Sequence, residues 1–266
     1  MPGIKKITSL ASNIMNSFCL NEKVALVVGG NKGLGQSMAL ALAGAGADVC
    51  VVGRGPDGLL ETAEAIKKLG QKSIYFAADV TVERQVNSMV NYVMDMFGHI
   101  DILVNSQGKN YLQEAAEFNT NQWQKIMDVN IKSVFLCCKH VGKIMIKNKK
   151  GKIINISSIR GFQGRSKDLA YAPSKGAVNQ LTRSLAIEWG HQGINVNAIA
   201  PAFTVTAISE PFLKDKKNHA WVISRIPMKR LGKLEDVSGP VIFLASEASN
   251  FINGHILVVD GGWLAA

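Results

Sequence analysis

Acidic residues are in short supply. The chain holds 20 Asp and Glu against 30 Lys and Arg, a formal net charge of +10. A surplus of that sign favours anionic partners such as nucleotides and acidic metabolites. The basic residues are scattered, and neither a zinc-finger spacing nor a recognition-helix signature goes with them, so nucleic acid is not an expected partner. Lys139, Lys143 and Lys147 recur every four residues and predict one exposed helix face. Cysteine is scarce too. Cys19, Cys50, Cys137 and Cys138 show no C-x-x-C or ligand-cluster spacing, which argues against a disulfide framework or a thiolate metal centre. They read as buried, reduced thiols in a cytoplasmic protein. No apolar run approaches the ~18 residues of a membrane span, so no membrane association is expected. Residues 1–17 lack the arginine and compact apolar core of a targeting peptide and read as a short N-terminal extension.

What is present is 266 residues, 47% hydrophobic and 19% charged, without an internal linker or repeat. This composition suits a single globular domain, expected over residues 18–266. Short apolar, β-branched runs at 23–29, 49–52, 73–78, 101–104, 152–156, 194–199 and 256–259 predict strands. Helical patterns at 34–47, 59–69, 82–97, 123–146, 173–189 and 235–246 separate them. The clearest stripe is Val82, Val86, Met89, Val90, Val93, Met94 and Phe97, at spacings of three and four. Alternation of this kind predicts an α/β, doubly wound Rossmann-type parallel sheet with helices on both faces. Residues 203–227 break the rhythm. They are polar, lack strong periodicity and read as a long loop, a candidate substrate lid.

The first strand runs into Gly29, Gly30, Asn31, Lys32, Gly33, Leu34 and Gly35, and then into a helix. Glycines there let backbone approach a pyrophosphate, and the helix start offers N–H groups and a positive dipole end. NAD binders place an acid at the end of the second strand. Here Gly53 and Arg54 hold that place, with Lys32 in the turn, which favours the 2′-phosphate of NADP(H) while leaving NAD(H) possible. Asp57 stands close by in sequence and keeps the question open.

Tyr171 and Lys175 are four residues apart at a predicted helix start, so they share one face. A neighbouring ammonium favours phenolate and is expected to lower the tyrosine pKa. Ser158 ends a predicted strand, at the edge where a parallel sheet binds its ligands, and its hydroxyl could bond a substrate oxygen. Asn130 lies mid-helix, where asparagine has no strong intrinsic reason to be.

These residues together resemble the short-chain dehydrogenase/reductase family from Phe18 onward. The family's TGxxxGxG corresponds to Val28 through Gly35, and its adenine-side aspartate to Asp79, followed by Val80. Its NNAG corresponds to Asn105, Ser106, Gln107 and Gly108. Its Asn–Ser–Tyr–Lys tetrad corresponds to Asn130, Ser158, Tyr171 and Lys175, and its PG-x-x-x-T to Pro201, Ala202 and Thr206. The departures are Val28, Gln107 and Ala202, and none removes a catalytic group. By resemblance, hydride passes between nicotinamide and a carbonyl or secondary alcohol. Tyr171 would exchange the proton, Lys175 hold the nicotinamide ribose, Ser158 orient the substrate oxygen and Asn130 hold a relay water. Thr206 and the backbone near Pro201 would hold the carboxamide. No metal is implied, and a homotetramer or homodimer is.

The C-terminal third, through Trp263, resembles the gluconate 5-dehydrogenase and deoxygluconate dehydrogenase branch. Arg160, Arg165, Lys167 and the basic residues of 203–227 suit an anionic small-molecule substrate such as a sugar acid. The same loops would suit a 3-oxoacyl-carrier-protein reductase. A catalytically idle cofactor-binding regulator would have no evident use for the tetrad. The tail Gly261, Gly262, Trp263 and Leu264 is apolar enough for a subunit interface.

Overall fold

The computed structural model describes residues 14–266, so most of the expected N-terminal extension lies outside the described residues. Seven parallel strands form one sheet in the order β3-β2-β1-β4-β5-β6-β7. They are β1 (Val24–Val28), β2 (Asp48–Gly53), β3 (Ser73–Ala77), β4 (Ile102–Asn105), β5 (Gly151–Ile156), β6 (Ile194–Pro201) and β7 (Ile256–Val259). All five residues of β1 are buried. Val24, Leu26 and Val28 enter one core cluster while Ala25 and Val27 enter another, so the pleat feeds two separate cores.

Helices α1 (Gly33–Gly44), α2 (Pro56–Lys68), α3 (Glu83–Phe97), α4 (Thr120–Met127), α5 (Ser133–Asn148), α6 (Tyr171–Trp189) and α9 (Ser238–Ala245) surround the sheet. In α3 the buried residues are Val86, Met89, Val90 and Val93, whereas Val82 sits at the N-cap and is exposed. The single helix expected over 123–146 is α4 and α5 joined by a π-helical segment, Asp128–Lys132. One wider turn leaves the axis continuous, so the side-chain pattern still looks helical in sequence.

The segment read as a loop at 203–227 contains α7 (Glu210–Leu213) and α8 (Lys216–Arg225). The Asp215 side chain caps α8 by accepting from Asn218 N at 2.9 Å. Leu213, Val222 and Ile226 turn onto a third, small core with Ile159 and Trp263. Trp263 is 2% exposed, and its indole N–H donates to Gln163 Oε1 at 3.0 Å. The C-terminal tail therefore packs against its own chain rather than presenting Trp263 as an open interface. Burial of such a side chain contributes about 1.5–3 kcal/mol, enough to hold this segment over the sheet edge.

Cys50, Cys137 and Cys138 are buried as expected, and Cys19 is exposed, contrary to expectation. Burial pushes the Cys50 and Cys138 thiols up to about 12, leaving them unreactive. Among the described residues no helix is long and apolar enough to cross a membrane, and no His, Cys, Asp and Glu cluster could hold a metal ion.

Candidate active site

The strand order reverses between β1 and β4, where an open α/β sheet forms its ligand crevice. A crevice of about 1030 Å³ opens at the carboxyl ends of the strands there and runs from the glycine turn to Tyr171 and the α7 segment. That volume sits at the upper end for a single small-molecule site.

The glycine turn is built for close approach. Gly29 has φ +82°, and a Cβ on it would lie 2.8 Å from Gln107 N. A Cβ on Gly35 would run into the Gly29 carbonyl, so only glycine lets α1 start this close to β1. Lys32 provides no side-chain cap and no acid stands in the first turn of α1. The first N–H groups and positive dipole end therefore face the crevice without an internal anion. Gly53 and Arg54 line the next stretch, and Asp57 does not: it belongs to the first turn of α2. Asp79 and Val80 follow. Asp79 accepts from Thr81 N at 3.0 Å and from Thr81 Oγ1 at 2.7 Å. The Thr81 hydroxyl, with smaller help from Arg54 and Lys132, holds this carboxyl below its usual range. On the far wall stand Pro201, at the end of β6, and Thr206, whose methyl would meet a Cβ on Gly33 at 3.8 Å. The cradle is thus an uncapped helix start, a cation and no acid at the end of β2, a donor set that fits a dinucleotide with a 2′-phosphate.

Asn105, expected among the cofactor contacts, lies elsewhere. Its neighbours Ser106, Gln107 and Gly108 line the crevice, but Asn105 is 0% exposed and its amide donates to Asn155 Oδ1 at 2.9 Å between β4 and β5. Its place in the motif serves strand pairing, not contact with the crevice. Gln107 fills the spot where the family pattern has alanine. Its amide donates to Ser133 Oγ at 2.9 Å, leaving Oε1 buried without a partner.

Ser158, Tyr171 and Lys175 converge on the crevice from the end of β5 and the first turns of α6. Pro173 stands in that first turn, where its missing N–H costs nothing. Ser158 Oγ accepts from Arg160 N at 3.1 Å, which leaves the hydroxyl proton free to donate. Lys175 is 3% exposed and donates from Nζ to Ile156 O at 2.6 Å. Burial pulls its pKa down to about 8. Burial likewise pushes the Tyr171 phenol up to about 12, opposed by the Ser158 hydroxyl. Lys175 is not among the groups that oppose the shift, so the lowering expected from it is not seen: desolvation of the phenol exceeds the help of Ser158 and the two arginines.

Asn130, in the π segment, is 0% exposed and stands behind the crevice wall. Its Nδ2 donates to Lys109 O and to Ser174 Oγ, each at 2.9 Å, while Oδ1 accepts from Lys109 N at 2.8 Å. Both amide hydrogens are used, so the side chain could take a relay water only on the remaining lone pair of Oδ1. Ser174 belongs to this clamp. In sequence alone, a serine between Tyr171 and Lys175 is indistinguishable from helix filler; here it also donates to Tyr171 O at 2.7 Å.

Between Ser158 and Tyr171 the chain carries charge inward. Arg160 is 7% exposed and Asp168 2%. The Arg160 guanidinium lies 5.6 Å from the Phe203 ring centroid and 5.5 Å from that of Trp263, and Arg165 lies 4.6 Å from that of Phe212. Burial pushes the Asp168 carboxyl pKa up, and the two guanidiniums oppose that shift.

The chain matches known proteins over nearly its full length. Residues 28–264 fit the family profile described as Enoyl-(Acyl carrier protein) reductase. The 2-dehydro-3-deoxy-D-gluconate 5-dehydrogenase of Escherichia coli (strain K12) is 42% identical, over 95% of this chain and 99% of its own. The gluconate 5-dehydrogenase of Gluconobacter oxydans (strain 621H) is 35% identical, over 92% and 96%. A crystal structure of a gluconate 5-dehydrogenase from Burkholderia cenocepacia J2315, in complex with NADP and tartrate, superposes with a TM-score of 0.91 at 34% identity, over 94% of this chain and 98% of that one. With the switch-point crevice, the glycine turn and the Ser158, Tyr171 and Lys175 constellation, these matches place the chain in the short-chain dehydrogenase/reductase family, as an oxidoreductase acting on CH–OH groups.

Proposed function

We propose that this protein is an NADP(H)-dependent oxidoreductase that interconverts a ketone and a secondary alcohol on a sugar acid, as a gluconate 5-dehydrogenase does. The observation that carries the reading is a single crevice. It joins an uncapped helix start and Arg54 to Ser158, Tyr171 and two largely buried guanidiniums. NAD(H) is the weaker cofactor on this reading, because no acid stands at the end of β2 to meet a ribose hydroxyl.

The nicotinamide, when bound, supplies or accepts hydride. The residues do the rest. Gly29, Asn31, Gly33, Leu34 and Gly35 hold the pyrophosphate against α1, Lys32 and Arg54 meet the 2′-phosphate, and Asp79 and Val80 flank the adenine. Gly108, Pro201 and Thr206 confine the other end. Ser158 donates its free hydroxyl proton to the substrate oxygen and fixes its position. Tyr171 delivers a proton to that oxygen during reduction and removes it during oxidation. Lys175 reaches the ribose from within hydrogen-bond distance of Ile156 O, and Asn130 fixes the Lys109 backbone beside them. The catalytic domain spans 18–266, and residues 203–227 act as its lid, closing on the substrate and excluding water. Exposed Phe135 on α5 and Ile187 on α6 supply apolar contacts for a homotetramer or homodimer.

The test is initial-rate absorbance at the nicotinamide band. NADP⁺ and NAD⁺ are run against a panel of aldonic acids, and NADPH against 5-ketogluconate and an acetoacetyl thioester. Turnover of a sugar acid with NADP⁺ preferred supports the reading. Turnover of the thioester alone would replace it with a 3-oxoacyl-carrier-protein reductase.

A further inference from the structure

The loop between Ser158 and Tyr171 keeps charged groups inside the protein without satisfying them. Arg160 Nη2, Arg165 Nε and both carboxylate oxygens of Asp168 are buried and have no hydrogen-bond partner. The internal pairings are weak: Arg165 Nε to Asp168 Oδ2 is 3.6 Å long, an ion pair rather than a hydrogen bond, and Arg160 Nη1 donates to Gly164 O at 3.4 Å. An orphaned buried polar atom destabilises the fold, and a charged one does so more. Four such atoms at one spot describe a site that a ligand completes.

The geometry limits what that ligand is. Arg160 lies over Phe203 and Trp263, and Arg165 over Phe203 and Phe212, at 4.6 to 5.9 Å from the ring centroids. A guanidinium with rings against its face is left with the N–H groups along its edge, a planar fork that matches a carboxylate. Both arginines and Asp168 line the crevice that holds Ser158 and Tyr171, and their charges act on the Tyr171 phenol, so the orphaned groups stand beside the reacting position. With Arg225 also 5.7 Å from the Trp263 ring centroid, the charge around Asp168 is net positive and calls for an anion, and the planar forks of the two arginines suit a carboxylate. The Asp168 oxygens only accept when ionised, so they call for donors, and in a small acid those are hydroxyl groups.

We propose that Arg160 and Arg165 seat the carboxylate of the substrate and that Asp168 accepts hydrogen bonds from the hydroxyl groups next to it, so that the crevice selects polyhydroxy monocarboxylates. The inference deepens the sugar-acid reading above and rests on it. It assigns specificity to three residues outside the catalytic tetrad.

The decisive comparison is kcat/KM for an aldonate against its uncharged analogue, an alditol of the same chain length, in the wild type and in Arg165→Gln, Arg160→Lys and Asp168→Asn. Charge-assisted hydrogen bonds of this kind are worth about 10–100-fold each, so in Arg165→Gln the aldonate should lose that factor relative to the alditol, chiefly through KM. Arg160→Lys keeps the charge and stem but loses the fork, and serves if the glutamine variant does not fold. Asp168→Asn should reduce discrimination between gluconate and a simple hydroxy acid. A parallel readout is quenching of tryptophan fluorescence by gluconate, since Trp263 stacks on Arg160. Equal losses on charged and uncharged substrates would overturn the inference and leave the sugar-acid reading standing. If the wild type turns over no sugar acid, that reading falls and the quench decides the inference. A carboxylate-dependent quench that Arg165→Gln abolishes supports the seat; a wild type that gluconate does not quench rules it out.

Discussion

Lys175 Nζ lies 5.6 Å from the centroid of the Tyr171 ring and donates to Ile156 O at 2.6 Å. The strand end thus sets the lysine beside the tyrosine, the lysine buried and the tyrosine half-buried on the crevice wall. With the phenol pushed up to about 12, Tyr171 is protonated across the neutral range. Ketone reduction, which consumes that proton, should therefore run at a nearly constant rate from about pH 6 to 9, and alcohol oxidation should climb with pH over the same range. Steady-state profiles in both directions check this. An oxidation rate already level below pH 7 would mean the phenol ionises far more easily than its burial allows. Tyr171→Phe should keep NADPH fluorescence binding and lose about 10²–10⁴-fold in turnover.

Burial of Lys175 has a cost that shows in stability. Its pKa is about 8 in the folded chain against 10.5 for the free side chain. Between those values the unfolded chain binds the extra proton, so this group's contribution to stability rises with pH through that window and is least favourable below it. Lys175→Met should therefore unfold at higher urea than wild type near pH 7, by up to about 3 kcal/mol, while losing activity. The gap should narrow as the pH approaches 10. A gap independent of pH would show that packing, not desolvation, separates the two proteins.

Arg54 should control the choice of cofactor. Arg54→Ala is expected to weaken NADPH binding by about 10–100-fold and to leave NADH binding within a few-fold, because only the 2′-phosphate calls for that guanidinium. Fluorescence titration with both reduced cofactors decides it, and parallel losses would remove Arg54 from the 2′-phosphate.

Asn130→Ala removes three hydrogen bonds in one place. The Lys109 backbone N–H and C=O lose their partners, so a destabilisation of about 2–4 kcal/mol is expected, with a fall in kcat because the loop beside Lys175 loosens. Chemical denaturation and initial rates measure the two effects. An Asp at this position keeps the acceptor and should recover part of the stability.

Most of the sheet could be read from the chain because parallel strands buried on both faces are near-continuous apolar runs, as in β1. The serine, tyrosine and lysine of the candidate site were legible because strand end and helix spacing together fix their meeting. What escaped depended on contacts between distant segments. α8 was missed because Val222 and Ile226 face a small core formed with Trp263 and Ile159, too few contacts to leave a long stripe. The Asp215 cap was its one local signal. Asn105 was misplaced because a motif position does not say which way a strand residue turns. The burial of Asp168 was not readable at all, since nothing local separates a loop acid in solvent from one under two guanidiniums.

The π-helical segment Asp128–Lys132 holds one residue more than the α turn it replaces. Each residue advances an α-helix by about 100°, so deleting one residue there would straighten the helix into ordinary α form and turn α4 by about that angle against α5. Ile126, now 0% exposed, would swing out of the core, and the clamp on Lys109 would lose its anchor. The extra residue acts as a phase offset between two halves of one rod. Chain length at this point is therefore as strict a requirement as the identity of Asn130 itself.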